Sequence, residues 1–369
     1  MIPIEIDNEN IAFRDLHFDK VNEEIRILLI LKRDSYEINS FEYKTLDWIN
    51  TRFKDILIGN LLRNIIQEFN DFIETFVTTV RLTISNDDKT ITVERLKQIC
   101  RENSIQGFSN KNKNDLVTLV NSNTNLTGQT IDNLKYMSLL NKINPILKNV
   151  FEDFYEKEWD EIEEYDRYIF VTKHNLKTCP YCNMGYILIS KRDEKKKNGL
   201  RPEIDHFFPK SIYPYLAMSF YNLIPSCKVC NHTKGSKDTY IDGLLSPYEM
   251  EDNTFQLTYR LRNINFRQVK KQKYNVNESF EIEFKKIDKH SNKYFKLDKL
   301  YEQHKDIVLE LLIKKAYYPQ SYIEELSAFG FSQDEIYRYL FSNYSEDKDL
   351  HKRPLSKLIK DISTELGIV

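Results

Sequence analysis

The chain is 369 residues long, too long for one core of ordinary size, so two or three packing units that fold without staples are expected. Lys plus Arg (54) nearly balance Asp plus Glu (56), so there is no global signature of nucleic-acid binding and any basic surface must be local. The chain has no apolar run of the ~18 residues needed to span a bilayer, no secretory signal in "MIPIEIDNENIAFRDL", and no Gly-rich phosphate loop among its 9 glycines. A cytosolic protein without a membrane partner is expected. Four of the five cysteines fall as two Cys-x-x-Cys pairs, which in a reducing compartment favours a metal over disulfides.

Residues 1–85 read as an N-terminal helical region. Leu46, Ile49, Phe53, Ile56, Leu61, Ile65, Phe69 and Phe72 recur at helical spacing, and packing alone accounts for them. Residues 86–122 read as a separate unit of two short helices. Thr92 starts the first, which buries Leu96, Ile99 and Cys100; the chain turns at Gly107; Leu116, Val117 and Val120 carry the second. Cys100 is read as a small core residue rather than a ligand. This pattern resembles the SAP-type motif and its relative at the N-terminus of transcription terminator Rho. In those families the module commonly contacts nucleic-acid backbone, which makes Lys97, Lys111 and Lys113 candidates for phosphates. A helical hairpin with a purely structural role is the alternative. Residues 123–170 continue as a helical connector that ends in nine acids against one lysine between Phe151 and Asp166, read as a solvated face.

The segment 171–245 carries the chemistry. Cys179 and Cys182 form one pair and Cys227 and Cys230 the other, with 44 residues between. Two such knuckles complete a four-thiolate site, zinc being the expected occupant and an iron–sulfur cluster the runner-up. A closed set of sulfurs leaves no open coordination position, so this metal is structural and the chemistry belongs to the insert. There, residues 186–190 alternate like a strand, and the loop "EKKKNGLRP" returns into "EIDHFF", predicting a hairpin that ends at Asp205 and His206. Asn222 follows, and Asn231 stands directly behind the last cysteine, on an expected helix.

That order of parts, D-H-x-x-P followed by N-L-x-x-x-C-x-x-C-N-x-x-K, resembles the HNH endonuclease family with its ββα-metal core, over residues 176–238. The resemblance implies that His206 is the general base for the attacking water. It also implies that Asp205 and Asn231 hold a catalytic Mg2+ or Mn2+, and that Asn222 ties the loop and orients His206. Asn231 stands where many members have a final histidine, and its amide oxygen suits a hard ion. His232, one place later, is offset to the side. Phosphodiester hydrolysis needs an activated water and a cation to neutralise developing charge, so these residue types fit the reaction. Lys210, Lys234 and Lys237 are placed for backbone phosphates. Two basic stretches, 191–201 and 259–273 with Arg260, Arg262, Arg267, Lys270, Lys271 and Lys273, serve equally as DNA contacts or solvated faces.

Residues 246–369 read as a C-terminal α+β region. Two strands at "TFQLTYRLRNI" and "SFEIEFKKID" precede one long helix from Tyr294, a helix opened by a Ser332–Glu335 capping box, and a last helix after Pro354. The expected class is therefore α+β and mainly helical around a zinc-braced core. Central placement of the motif, an Ile-, Asn- and Lys-rich composition and tyrosine-rich helical flanks resemble bacterial HNH proteins of phage-defence systems. Among these is the nuclease of Septu-type systems, which works with a partner ATPase. An HNH nuclease acting on RNA and a non-catalytic zinc module that binds DNA are the rival readings.

Overall fold

The computed structural model describes residues 1–79, 84, 91–123, 126–190, 199–251, 254–262 and 280–368. Most of the two basic stretches, 191–198 and 263–273, therefore lies outside the described residues. By packing the chain forms two units, one of Met1–Lys20, Lys157–Ile212 and Ser219–Val369, the other of Val21–Glu156 with Tyr213–Met218. The five consecutive segments expected from sequence pattern do not coincide with these. Helix α1 (Asn8–Asp34) is divided between the units at Lys20.

The second unit is helical. Ser40 accepts a hydrogen bond from the Tyr43 amide to start α2 (Phe41–Thr51), α3 (Phe53–Ile58) follows, and α4 (Leu62–Val77) buries Leu62, Ile65, Ile66, Phe69, Ile73 and Val77 along one stripe. Trp48 meets Phe69 edge-on at 5.5 Å and stacks on Phe72. Each large apolar side chain buried here is worth roughly 1.5–3 kcal/mol. Leu61, expected inside this stripe, is 63% exposed because it precedes the first turn of α4. Further on, Thr92 caps α5 (Val93–Glu102) and Asn112 caps α6 (Lys113–Asn121), each side chain accepting a backbone N–H three residues on. Their Leu96, Ile99, Cys100, Leu116, Val117 and Val120 share one buried cluster with Ile131 and Leu134 of α7 (Gln129–Leu147). Burial pushes the Cys100 thiol pKa up.

The first unit mixes both element types. After α8 (Arg167–Lys173) come β1 (Glu203–His206) and β2 (Leu223–Ser226), antiparallel with Glu203 opposite Ser226 and His206 opposite Leu223; α9 (Lys228–Lys234) follows directly. The hairpin expected from 186–190 into "EIDHFF" is thus corrected. Tyr186 bridges Thr178 and Ser190 bridges Leu200, while the partner of β1 is the later segment "LIPS".

A second antiparallel pair, β3 (Gln256–Leu261) and β4 (Phe280–Lys286), precedes α10 (Lys289–Phe295) and α11 (Leu297–Tyr301). Then come α12 (Lys305–Tyr317), α13 (Gln320–Ala328), α14 (Gln333–Phe341) and α15 (Ser356–Glu365). The long helix expected from Tyr294 is interrupted by Lys296 in the left-handed region at φ +53°. The capping box of Ser332 and Glu335 opens α14 as expected. Helix α15 packs on β3, where Asp361 accepts the Leu257 amide at 2.8 Å. Among the described residues the fold is α+β, mostly helical with small two-stranded sheets.

Candidate metal centre and hydrolytic site

The four sulfurs of Cys179, Cys182, Cys227 and Cys230 lie within 4.8 Å of one another, and three of these residues are buried. Tetrahedral zinc, with Zn–S near 2.3 Å, requires S···S of about 3.8 Å, and Cys182 and Cys227 are already 3.9 Å apart. Backbone geometry builds each knuckle. Cys179 donates to Gly185 O at 2.9 Å, and Asn183 N returns to Cys179 O at 2.7 Å. Gly185 leaves this approach uncrowded, since a Cβ there would stand 3.2 Å from Cys227 Cβ, tighter than ordinary contact. Cys227 is both a sulfur of the cluster and the N-cap of α9, accepting the Cys230 amide. Hydrogen bonds from Cys179 and the other sulfurs hold the Cys182 thiol pKa far below its usual range, whereas the same neighbours push Cys230 up. Such a set can hold a cation in place of the shared protons.

The knuckle is fastened to its surroundings. Tyr301 donates to Cys182 O at 2.8 Å. Asn183, fully buried, donates to Thr178 Oγ1 and Leu350 O, while its side-chain oxygen accepts from Ser356 Oγ and from the Lys357 amide in the first turn of α15. One residue of the cysteine knuckle thereby caps the last helix of the unit.

Strand β1 runs beside this centre and ends in the motif residues. Asp205 is 3% exposed and His206 8%. Tyr181, the residue just before the second cysteine of the first knuckle, donates to Asp205 Oδ2 at 2.6 Å and stacks on Phe295. Burial, then the Asp205 charge, raise the Tyr181 pKa well above the ordinary phenol value, so it stays a donor. Lys234 of α9 places its ammonium 2.9 Å from Asp205 Oδ1 and 2.7 Å from His206 O. It is 1% exposed, so it stands inside the core and not at the surface expected of a phosphate contact. A buried ammonium needs a compensating carboxylate, and Asp205 is that partner.

Asn222 is fully buried and grips the loop after β1 through both ends of its amide: Phe208 N donates to its Oδ1 at 2.7 Å, and its Nδ2 donates to Phe208 O at 3.1 Å. Phe207 N donates to Asn222 O, and Thr239 Oγ1 donates to Phe207 O. Two residues earlier Phe220 stacks on His174 with centroids 5.5 Å apart. Burial drives the pKa of His174 down to about 4, so this ring is a neutral packing element.

Asn231 is half-buried, and the contact found for it is with Glu203 rather than Asp205: its Nδ2 donates to Glu203 Oε2 at 2.7 Å. His232 Nε2 lies 3.5 Å from the other Glu203 oxygen. Tyr181 and Glu203 are members of this array that motif reading passed over. The signals were present: Tyr181 sits inside "CPYC", and Glu203 lies two residues before Asp205, on the same face of a strand.

Of the other lysines, Lys210 is half-buried and Lys237 is exposed with its ammonium 5.2 Å from the Tyr294 ring centroid. In the second unit Lys97 donates to Ser109 O, and Lys111 and Lys113 are half-buried around the start of α6.

The chain is 38% identical over 69 residues to the Septu protein PtuB of Bacillus thuringiensis. The match covers 19% of this chain and 23% of that protein, so it spans less than a quarter of the relative's length. No family model and no solved structure matches the chain. No helix among the described residues is long and apolar enough to cross a membrane. A partial likeness to a Septu protein and a buried four-cysteine cluster able to hold a metal ion are what the chain presents.

Proposed function

We propose that the chain is a metal-dependent HNH-type endonuclease of bacterial anti-phage defence, hydrolysing DNA phosphodiester bonds in company with an ATPase. The observation that carries this reading is the array β1–β2–α9. It sets Asp205 and His206 at the end of one strand, Asn222 across the intervening loop, and Asn231 one residue behind the last cysteine of the sulfur cluster. The defence role rests on the Septu likeness, and the ATPase partner on the resemblance of the sequence to Septu-type systems.

The donors suit a hard cation. Each Asp205 oxygen keeps a lone pair beyond the bond it accepts, and the Asn231 amide oxygen is left over once its nitrogen is committed to Glu203. Mg2+ or Mn2+, when bound by Asp205 and Asn231, would neutralise charge on the scissile phosphate and the leaving oxygen. His206 takes the proton from the attacking water. Lys234 holds the His206 carbonyl and Asn222 holds Phe208 two residues on, so the backbone that carries the imidazole and leads away from it is fixed. Lys210 and Lys237 are offered to the phosphates nearby, and Lys97, Lys111 and Lys113, in the other unit, are candidates for nucleic-acid backbone in their own right. Lys234 is withdrawn from that set by its burial.

One observation favours a second reading, a zinc-stabilised module that binds DNA without cutting it: both oxygens of Asp205 are engaged and the carboxylate is 3% exposed. Incubating the zinc-loaded protein with supercoiled plasmid, single-stranded DNA and tRNA, each with Mg2+ and with Mn2+, separates the readings. Plasmid nicking is the expected result. Cleavage of tRNA alone would move the substrate to RNA, and retention of DNA without cleavage under any condition would leave the non-catalytic module.

A further inference from the structure

Glu203 and Asp205 are two residues apart on β1, so their side chains share one face of the strand, and that face meets α9. Asp205 there pairs with Lys234, while Glu203 reaches Asn231 at 2.7 Å and His232 at 3.5 Å. The chemistry of the shorter contact settles the orientation of the amide. A carboxylate is an acceptor only, so the end of Asn231 that faces it must be the NH2 group. The two ends of a side-chain amide are opposed across one carbon, so the oxygen of Asn231 must face away from Glu203.

We propose that Glu203 is the positioning residue of the hydrolytic site, deciding which end of the Asn231 amide is presented to the divalent cation. The inference rests on Asn231 being a ligand, as proposed above. Without the carboxylate the amide turns about its last bond, and half of its orientations offer an NH2 group, which cannot ligate a cation. The partners that orient a ligand in this way typically contribute about 10–100-fold to metal affinity. The Glu203 side chain meets Asn231 and His232 of α9, so zinc content and Mn2+ affinity are read separately in the test.

The test is Mn2+ titration of the full-length, zinc-loaded protein, read from the electron paramagnetic resonance signal of free Mn2+. Zinc content and far-UV circular dichroism are checked for each variant. Glu203→Ala should weaken Mn2+ binding about 10-fold or more. Glu203→Gln, which can still accept from Asn231 but can also turn its own NH2 group toward it, should weaken binding less than Glu203→Ala does. Asn231→Ala should weaken binding as Glu203→Ala does, and the double variant should be no weaker than Asn231→Ala alone, because the two residues act through one contact. Glu203→Met, similar in length but without an acceptor, replaces the alanine variant if zinc or helicity is lost.

Unchanged Mn2+ affinity in Glu203→Ala, with Asn231→Ala weakened, would overturn the positioning role and leave Asn231 a ligand. Equal weakening in Glu203→Ala and Glu203→Gln that adds to that of Asn231→Ala would make Glu203 a charge or ligand in its own right and overturn it also. Unchanged affinity in Asn231→Ala would remove Asn231 from the ligand set, and the inference with it.

Discussion

Lys234 and Asp205 show how much one buried contact decides. Their side chains are 1% and 3% exposed, and the ammonium also holds His206 O. Breaking a buried ion pair from one side leaves a charge without solvent or partner, at a cost of about 3–5 kcal/mol. Lys234→Met should lower stability by that amount in urea unfolding, and Asp205→Asn added to it should restore most of the loss. A loss below about 1 kcal/mol, the range of an exposed pair, would mean that the pair is solvated. Asp205 and His206 end β1, which meets the lysine-bearing α9. The motif spacing could not tell that Lys234 faces inward, because an ammonium on a seven-residue helix reads as surface until the strand that α9 packs on is known. Glu203 and Tyr181 escaped for the same reason: their importance lies in contacts with Asn231 and Asp205 that sequence distance conceals.

At the scale of elements, α9 is too short to be stable by itself and depends on what holds its first turn. Cys227 gives that turn both a cap and a sulfur of the cluster. Cys227→Ser separates the two contributions, since serine caps at least as well but is a poor zinc ligand. Loss of zinc with loss of amide protection over 228–234 is expected; retained protection would assign the helix to its cap instead. A helix is expected from about Cys230 onward, and α9 starts two residues earlier, at Lys228. The strand pairing was less legible. Residues 223–226 hold Pro225, all four are buried, and no apolar–polar alternation marks them, so nothing in "LIPS" distinguishes a strand from a loop. Residues 186–190 do alternate, yet among the described residues they form only isolated bridges, since pattern reports exposure and not the partner. In the C-terminal region Ser332 and Glu335 announced α14 through a local device, whereas the break at Lys296 has no residue signal.

At the scale of the whole molecule the two units have different foundations. The unit of Val21–Glu156 with Tyr213–Met218 rests on apolar stripes such as that of α4, whereas the other contains the sulfur cluster, to which Asn183 and Tyr301 bind α15 and the end of α11. The discontinuity of these units was not legible, because membership is decided by packing between distant segments and not by any composition shift at Lys20 or Lys157. A strong chelator should therefore abolish hydrogen-exchange protection in 203–206, 223–234 and 356–365 while α4 keeps its own; equal loss in α4 would show one metal-dependent unit. The central claim, that the zinc-braced array is a hydrolytic site with His206 as its base, is tested most directly by cleavage of supercoiled plasmid in Mn2+ by the parent protein and by His206→Ala, both carrying zinc. The account predicts nicking by the parent and a rate lower by about 10²–10⁴-fold in the variant, with DNA retention unchanged. Equal cleavage by the two proteins would contradict it.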